Sequence, residues 1–218
     1  MIFRLPARTH YSQAEDASDA IVHALGLAAA VLAVPVLLAL AWRNGADGRA
    51  VAAVAIYGAS LIAMILCSTL YNMAGSGRWS GLLRRLDHSA IYIKIAGTYT
   101  PFVLVSANPA GWFLAWIWAC AAFGAGLRSL APNRLRGLAI ALYLVMGWSG
   151  ALAGAMIFET ISDEVYRLIL TGGLIYTAGF AFYLCARLPF HRTIWHGFVM
   201  TASGVFFAAV ALHVLTTA

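Results

Sequence analysis

Residues 21–42 read IVHALGLAAAVLAVPVLLALAW, twenty-two positions with one histidine and no charged side chain. A helix rises about 1.5 Å per residue, so about 20 residues cross the roughly 30 Å of hydrocarbon in a bilayer. This stretch is long enough to do so. Six more of similar length follow, at 50–73, 88–106, 109–127, 137–158, 166–186 and 193–216. Backbone polar groups in hydrocarbon must pair within their own segment. The pattern therefore predicts an all-α, polytopic membrane protein with seven transmembrane helices. One domain spans residues 1–218, with 1–20 as a polar tail.

Composition points the same way. The chain is 62% hydrophobic and 10% charged, with mean hydropathy +0.83, whereas a soluble domain carries about 25% charged residues. The tail has no apolar core of a cleavable leader. Cys67, Cys120 and Cys185 lack CxxC spacing and read as small buried hydrophobes. The net charge of +6 is topological in origin. Ten arginines fall on the tail's side of the membrane and only Arg43, Arg49 and Arg167 on the other, with Lys94 inside a span. Positive charge stays cytoplasmic, so the N-terminus is expected inside and the C-terminus outside. Membrane lipids, not nucleic acids, are the expected partners; the oligomeric state is unspecified.

Short connections make successive spans antiparallel neighbours. Asn108-Pro109 reads as a tight outer turn, and Gly147, Gly150 and Gly154 read as places where helices approach closely.

Alternating topology then gives each span a cytoplasmic end. His23 lies at the start of the first span, with Asp19 one turn earlier; Ser68 and Asn72 lie at the end of the second. Asp87 and His88 open the third, and His191, Arg192 and His196 open the seventh. Four helices thus bring polar groups to one depth, where each needs a reason. Ser68 and Asn72 share a helix face, as do Arg192 and His196. Lys94 lies two turns beyond Asp87, about 10 Å deeper, and Asp87 is its expected partner, directly or through water. Blander readings exist for several of these groups: His88 and His213 at the headgroups, His23 bonded within its own turn, Ser68 bonded to its own helix.

At these residues the chain resembles the hemolysin III family, bacterial relatives of the adiponectin and progestin receptors and of alkaline ceramidases. The resemblance rests on Asp19-x3-His23-Ala-Leu-Gly, on Ser68-Thr-Leu-Tyr-Asn72, on Arg85-Leu-Asp87-His88-Ser-Ala-Ile-Tyr-x3-Ala-Gly-Thr-Tyr-Thr-Pro-Phe, and on Ile194-Trp-His196-Gly-Phe-Val. It covers nearly the whole chain and implies a bacterial inner (plasma) membrane location. In zinc-containing members, it further implies, three histidines hold the metal: one ends Ser-x3-His on the second span and two form His-x3-His on the seventh. An aspartate opening the third span orients or activates the metal-bound water for attack on an amide.

This chain departs from that pattern at two of three ligands. Asn72 and Arg192 occupy the other two positions, leaving His196, with Ser68 and Asp87 as supporting residues. His191 is five residues from His196 and so on a different face. A half-site through His196, Asp87 and His23 or His191 is the remaining route to zinc. The alternative is a metal-free core in which Arg192 or Lys94 supplies the positive charge facing Asp87.

Three functions follow as expectations. The lost ligands favour a non-catalytic, lipid-sensing or regulatory module with a degenerate metal site. A zinc-dependent intramembrane hydrolase of lipid amides or esters would use Asp87 as base, Ser68 to position substrate and His196 as ligand or acid/base. A pore-forming cytolysin or channel is the third.

Overall fold

The computed structural model describes residues 11–74, 77–106, 110–130, 135–153 and 161–217. The expected Asn108–Pro109 turn and Gly154 lie outside them. Among the described residues there are seven helices: α1 Gln13–Arg43, α2 Gly48–Met73, α3 Ser80–Leu104, α4 Gly111–Leu130, α5 Arg136–Ala153, α6 Asp163–Leu184 and α7 His191–Thr217. Five of them, α1, α2, α4, α6 and α7, are long and apolar enough to cross a membrane. Four charged residues, Arg84, Arg85, Asp87 and Lys94, make α3 more polar than these, and α5 carries a shorter apolar run, Gly137–Ala151.

Helix starts are set locally. The Ser12 hydroxyl accepts from Glu15 N while the Glu15 carboxylate accepts from Ser12 N, a reciprocal cap that begins α1 well before its apolar stretch. Asp47 caps α2 and Ser162 caps α6 in the simpler way. Pro35 is accommodated inside α1.

Neighbours in sequence pack together, and α1 also packs on α7, so the first and last helices close the bundle into a ring. The third helix is the hub, touching α2, α4, α5 and α7. Small residues let it in: a Cβ on Gly97 would collide with Ser60 of α2, and one on Gly124 of α4 would collide with the Tyr92 ring. Tyrosines fasten α5 to it. The Tyr92 hydroxyl donates to Ala139 O at 3.1 Å, and the Tyr99 hydroxyl donates to Gly147 O at 2.9 Å and accepts from Gly150 N at 3.0 Å. Gly147 therefore contributes its carbonyl; a Cβ there would meet nothing within 4 Å, so it is not the close-approach position the sequence suggests. Leu25, Leu32, Val36, Trp112, Phe123 and Leu174 point outward and exposed, the apolar exterior that lipid requires.

Candidate functional site

Three residues of α1, spaced four apart on one face, build the first wall: Glu15, Asp19 and His23, all buried. Glu15 holds two segments. One carboxylate oxygen closes the α1 cap, and the other accepts from Phe190 N at 2.9 Å. Phe190 has φ +57°, a left-handed conformation that costs a bulky residue about 1–2 kcal/mol. It turns the chain into α7, so Glu15 steadies the strained joint that aims the next residues inward.

Those residues are Arg192 and His196, one turn apart. Asp19 receives both. His196 Nδ1 donates to Asp19 Oδ1 at 2.6 Å, and Arg192 Nη2 donates to Oδ2 at 3.1 Å. A second ion pair joins Arg192 Nη1 to the exposed Asp16 at 3.5 Å, and the guanidinium lies over the Tyr11 ring at 4.5 Å. His23 Nδ1 lies 2.8 Å from Asp19 O, and a carbonyl only accepts, so the proton is on Nδ1. The neutral ring then accepts at Nε2 from the Ser68 hydroxyl of α2, at 3.2 Å. The rings of His23 and His196 meet edge-on, centroids 4.3 Å apart.

The two positions at which the sequence departs from the expected three-histidine pattern are bonded to each other. Arg192 Nη2 donates to Asn72 Oδ1 at 2.9 Å. Asn72 Nδ2 in turn donates to Ser68 O at 2.9 Å and to Ser68 Oγ at 3.3 Å. A circuit results, running Asp19–Arg192–Asn72–Ser68–His23 and back to Asp19 through its carbonyl. Asp87 of α3 stands on its far side, against the Ser68 hydroxyl and within electrostatic reach of His196.

The structure places Ser68, Asn72, His23, Arg192 and His196 in one bonded group, with Asp87 beside Ser68. The pairings differ in detail. Arg192 faces Asp19 and Asn72 rather than Asp87. Lys94 lies away from the circuit, its Nζ over the rings of Tyr176 and Phe206 at 4.7 and 4.8 Å. His88 is half-buried, its ring against Tyr71 and its carbonyl accepting from Tyr143. His191 is buried and bonds the Tyr11 hydroxyl at 3.2 Å. His213, expected at the headgroups, is instead 2% exposed and packs on Phe102. The carboxylate that organises the site is Asp19, which the sequence places one turn before His23 in the Asp19-x3-His23 motif but which is not among the expected site residues. Its signal was the 15–19–23 spacing of polar residues at the head of an apolar helix.

Asp19, His23 and His196 each offer a ligand atom, all within 4.8 Å of one another. Their chemistry does not suit a resident zinc. Ligands about 2.0–2.1 Å from a tetrahedral zinc stand about 3.3 Å apart, whereas His196 Nδ1 and Asp19 Oδ1 are 2.6 Å apart and share a proton. A guanidinium already sits on the other Asp19 oxygen, where it would repel a cation.

A family description, "Haemolysin-III related", matches residues 11–207. The chain is 38% identical over 208 residues to "Hemolysin-3" of Bacillus cereus, covering 94% of each chain. It is 33% identical over 201 residues to "Hemolysin-3 homolog" of Bacillus subtilis (strain 168), covering 91% of this chain and 94% of that one. "Monocyte to macrophage differentiation factor" of Homo sapiens is 31% identical over 225 residues, 96% of this chain and 90% of that one. On the helices, the apolar exterior and these matches together, the chain is an integral membrane protein belonging to the haemolysin III family.

Proposed function

We propose that this chain is a non-catalytic, lipid-sensing membrane module in which Arg192 takes the place of a metal ion. The observation that carries this reading is the Arg192–Asn72 hydrogen bond. The two departures from the ligand pattern answer each other, and Asp19 neutralises the charge they bring in. A site merely decaying would leave a buried Asp19 and two histidines without a cation; here the cation is built in. In this reading the chain crosses the bacterial plasma membrane seven times, N-terminus inside, which puts the circuit at the inner-leaflet boundary. There the side chains of Ser68, Asp87 and His196 would meet the polar part of a lipid. A regulatory site needs only that lipid favour one arrangement of α1 and α7 over another.

Zinc measured on protein purified without added metal tests the reading. The wild type should hold well under one equivalent, and the double variant Asn72→His with Arg192→His should gain tight zinc. Stoichiometric zinc in the wild type, lost on His196→Ala, would overturn it.

A hydrolase of lipid amides or esters is the second reading, favoured by one observation. Asp87 lies against the Ser68 hydroxyl and close to His196, whose Nδ1 proton is already committed to Asp19. A carboxylate base beside an oriented imidazole is a workable acid/base pair. Turnover of a lipid amide by the purified chain, abolished by Asp87→Ala, would establish it over the sensor. The names of the Bacillus relatives add cytolysis as a third reading; release of dye from pure-lipid vesicles by the purified chain would support it.

A further inference from the structure

Lys94 is 3% exposed and sits in the middle of α3. Among the described residues its ammonium has no hydrogen-bond acceptor and no carboxylate; its recorded partners are the faces of Tyr176 on α6 and Phe206 on α7. A desolvated cation–π contact gives about 2 kcal/mol. A lysine at the centre of a span costs about 2.5–3.5 kcal/mol on insertion scales and far more where water and headgroups cannot reach it. Two ring contacts offset part of this and leave three N–H donors without an acceptor.

A second orphan lies on α2, which packs against α3. Tyr57 of α2 is 0% exposed, and its hydroxyl has no hydrogen-bond partner among the described residues. Its electrostatic neighbour is Tyr176, the residue that also floors the Lys94 ammonium. The Tyr176 hydroxyl is already engaged with Ser203 at 2.6 Å. Four helices, α2, α3, α6 and α7, therefore meet around donors that lack an acceptor. Each unmet donor costs about 1–3 kcal/mol when buried, and more when charged. What would satisfy both is an acceptor carrying negative charge.

We propose that Lys94, over Tyr176 and Phe206, together with Tyr57 beside Tyr176, forms an anion-binding site at mid-depth in the bundle, separate from the Asp19–Arg192 circuit. The occupant is a monovalent anionic acceptor, either a halide ion or the carboxylate of a single-chain amphiphile. The ammonium supplies the charge and Tyr57 the second hydrogen bond. The aromatic faces keep the cation aimed and exclude water.

The test uses the full chain in a non-ionic detergent, following thermal unfolding. One arm titrates sodium chloride against sodium gluconate; the other titrates dodecanoate against dodecanol, which has the same tail without the charge. At least one arm should raise Tm saturably in the wild type. That affinity should fall at least tenfold in Lys94→Met, fall several-fold in Tyr57→Phe, and largely survive in Lys94→Arg. A response to chloride identifies an inorganic anion; a response to dodecanoate but not dodecanol identifies an amphiphile carboxylate. If Lys94→Met fails to fold, Tyr57→Phe, which keeps the cation, decides by the same titration. No saturable response from the wild type in either arm, or an equal response from the variants, overturns the proposal.

Discussion

Arg192 is tied to two carboxylates of very different standing, and the contrast predicts how each would be missed. Asp19 is almost fully buried, at 3% side-chain exposure, whereas Asp16 is 61% exposed and 3.5 Å away. Exposed pairs contribute about 0–1 kcal/mol, because water screens them and the side chains lose freedom. Removing one partner of a buried pair costs about 3–5 kcal/mol, since the other charge is stranded. Arg192 itself is 22% exposed, so water softens the loss, and roughly 1.5–3 kcal/mol is the expectation for Arg192→Ala, the range of a charged hydrogen bond. Asp16→Ala should be nearly silent. Arg192→Lys should fall between, keeping charge but losing the fork that reaches Asp19 and Asn72 together. Thermal unfolding of the purified variants measures the order, and Asp16→Ala proving worse than Arg192→Ala would refute this account. The residues of the circuit were legible because apolar spans make every polar group conspicuous. Their partners were not. Asp87 and Lys94 share a face in α3, yet about 10 Å of helix separates them, and the rings that take Lys94 belong to α6 and α7, whose packing no spacing within α3 reveals.

Among the helices, the close contacts of α3 are set by what its neighbours lack. On α4, Gly124 and Gly126 are two residues apart and face different surroundings. A methyl group on Gly124 would push into the Tyr92 ring, with Cζ 2.6 Å away, and Tyr92 is pinned by its bond to Ala139 O. A methyl on Gly126 would meet nothing within 4 Å. Gly124→Ala should therefore destabilise by about 1–3 kcal/mol, the usual penalty for overpacking. Gly126→Ala should be neutral or slightly stabilising, alanine being the better helix former by about 1 kcal/mol. Equal Tm values for the two would mean that α3 and α4 do not pack as described. Glu15→Ala tests the joint between α1 and α7 in the same way. It releases both the α1 cap and the Phe190 N–H, for a loss of about 1–3 kcal/mol, readable as a lower Tm and as faster proteolysis after Arg187. Hydropathy found the middle of each helix, and the expected spans lie within a few residues of the described ones for α2, α4 and α7. It missed the first two turns of α1 and of α3. In α1 those turns carry Glu15 and Asp19, which bond Phe190, Arg192 and His196 rather than meeting lipid, and a lipid-transfer scale reads such turns as loop.

At the scale of the whole molecule, contact between the first and last helices makes a site from ends that lie 173 to 177 residues apart in sequence. Such a closure fixes a parity. If α1, α3 and α7 all begin, and α2 ends, at the circuit, then Asn44–Asp47 must lie on the opposite membrane face, and so must the start of α6. From the arginine distribution we propose that the circuit's side is the cytoplasmic one. Cys185 is a native reporter of that assignment, exposed just past the end of α6, while Cys67 and Cys120 are half-buried. With those two replaced by alanine, a membrane-impermeant maleimide should leave Cys185 unlabelled in intact cells and label it in inside-out vesicles. Arg49→Cys, exposed at the start of α2, should show the reverse once Cys185 is also replaced. Labelling of Cys185 from outside, with Arg49→Cys protected, would invert the protein in the membrane. The lipid met by Asp19, Arg192 and Asp87 would then be that of the outer leaflet. Labelling of both positions from one side would break the alternation itself, and with it the argument that four polar helix ends share one face.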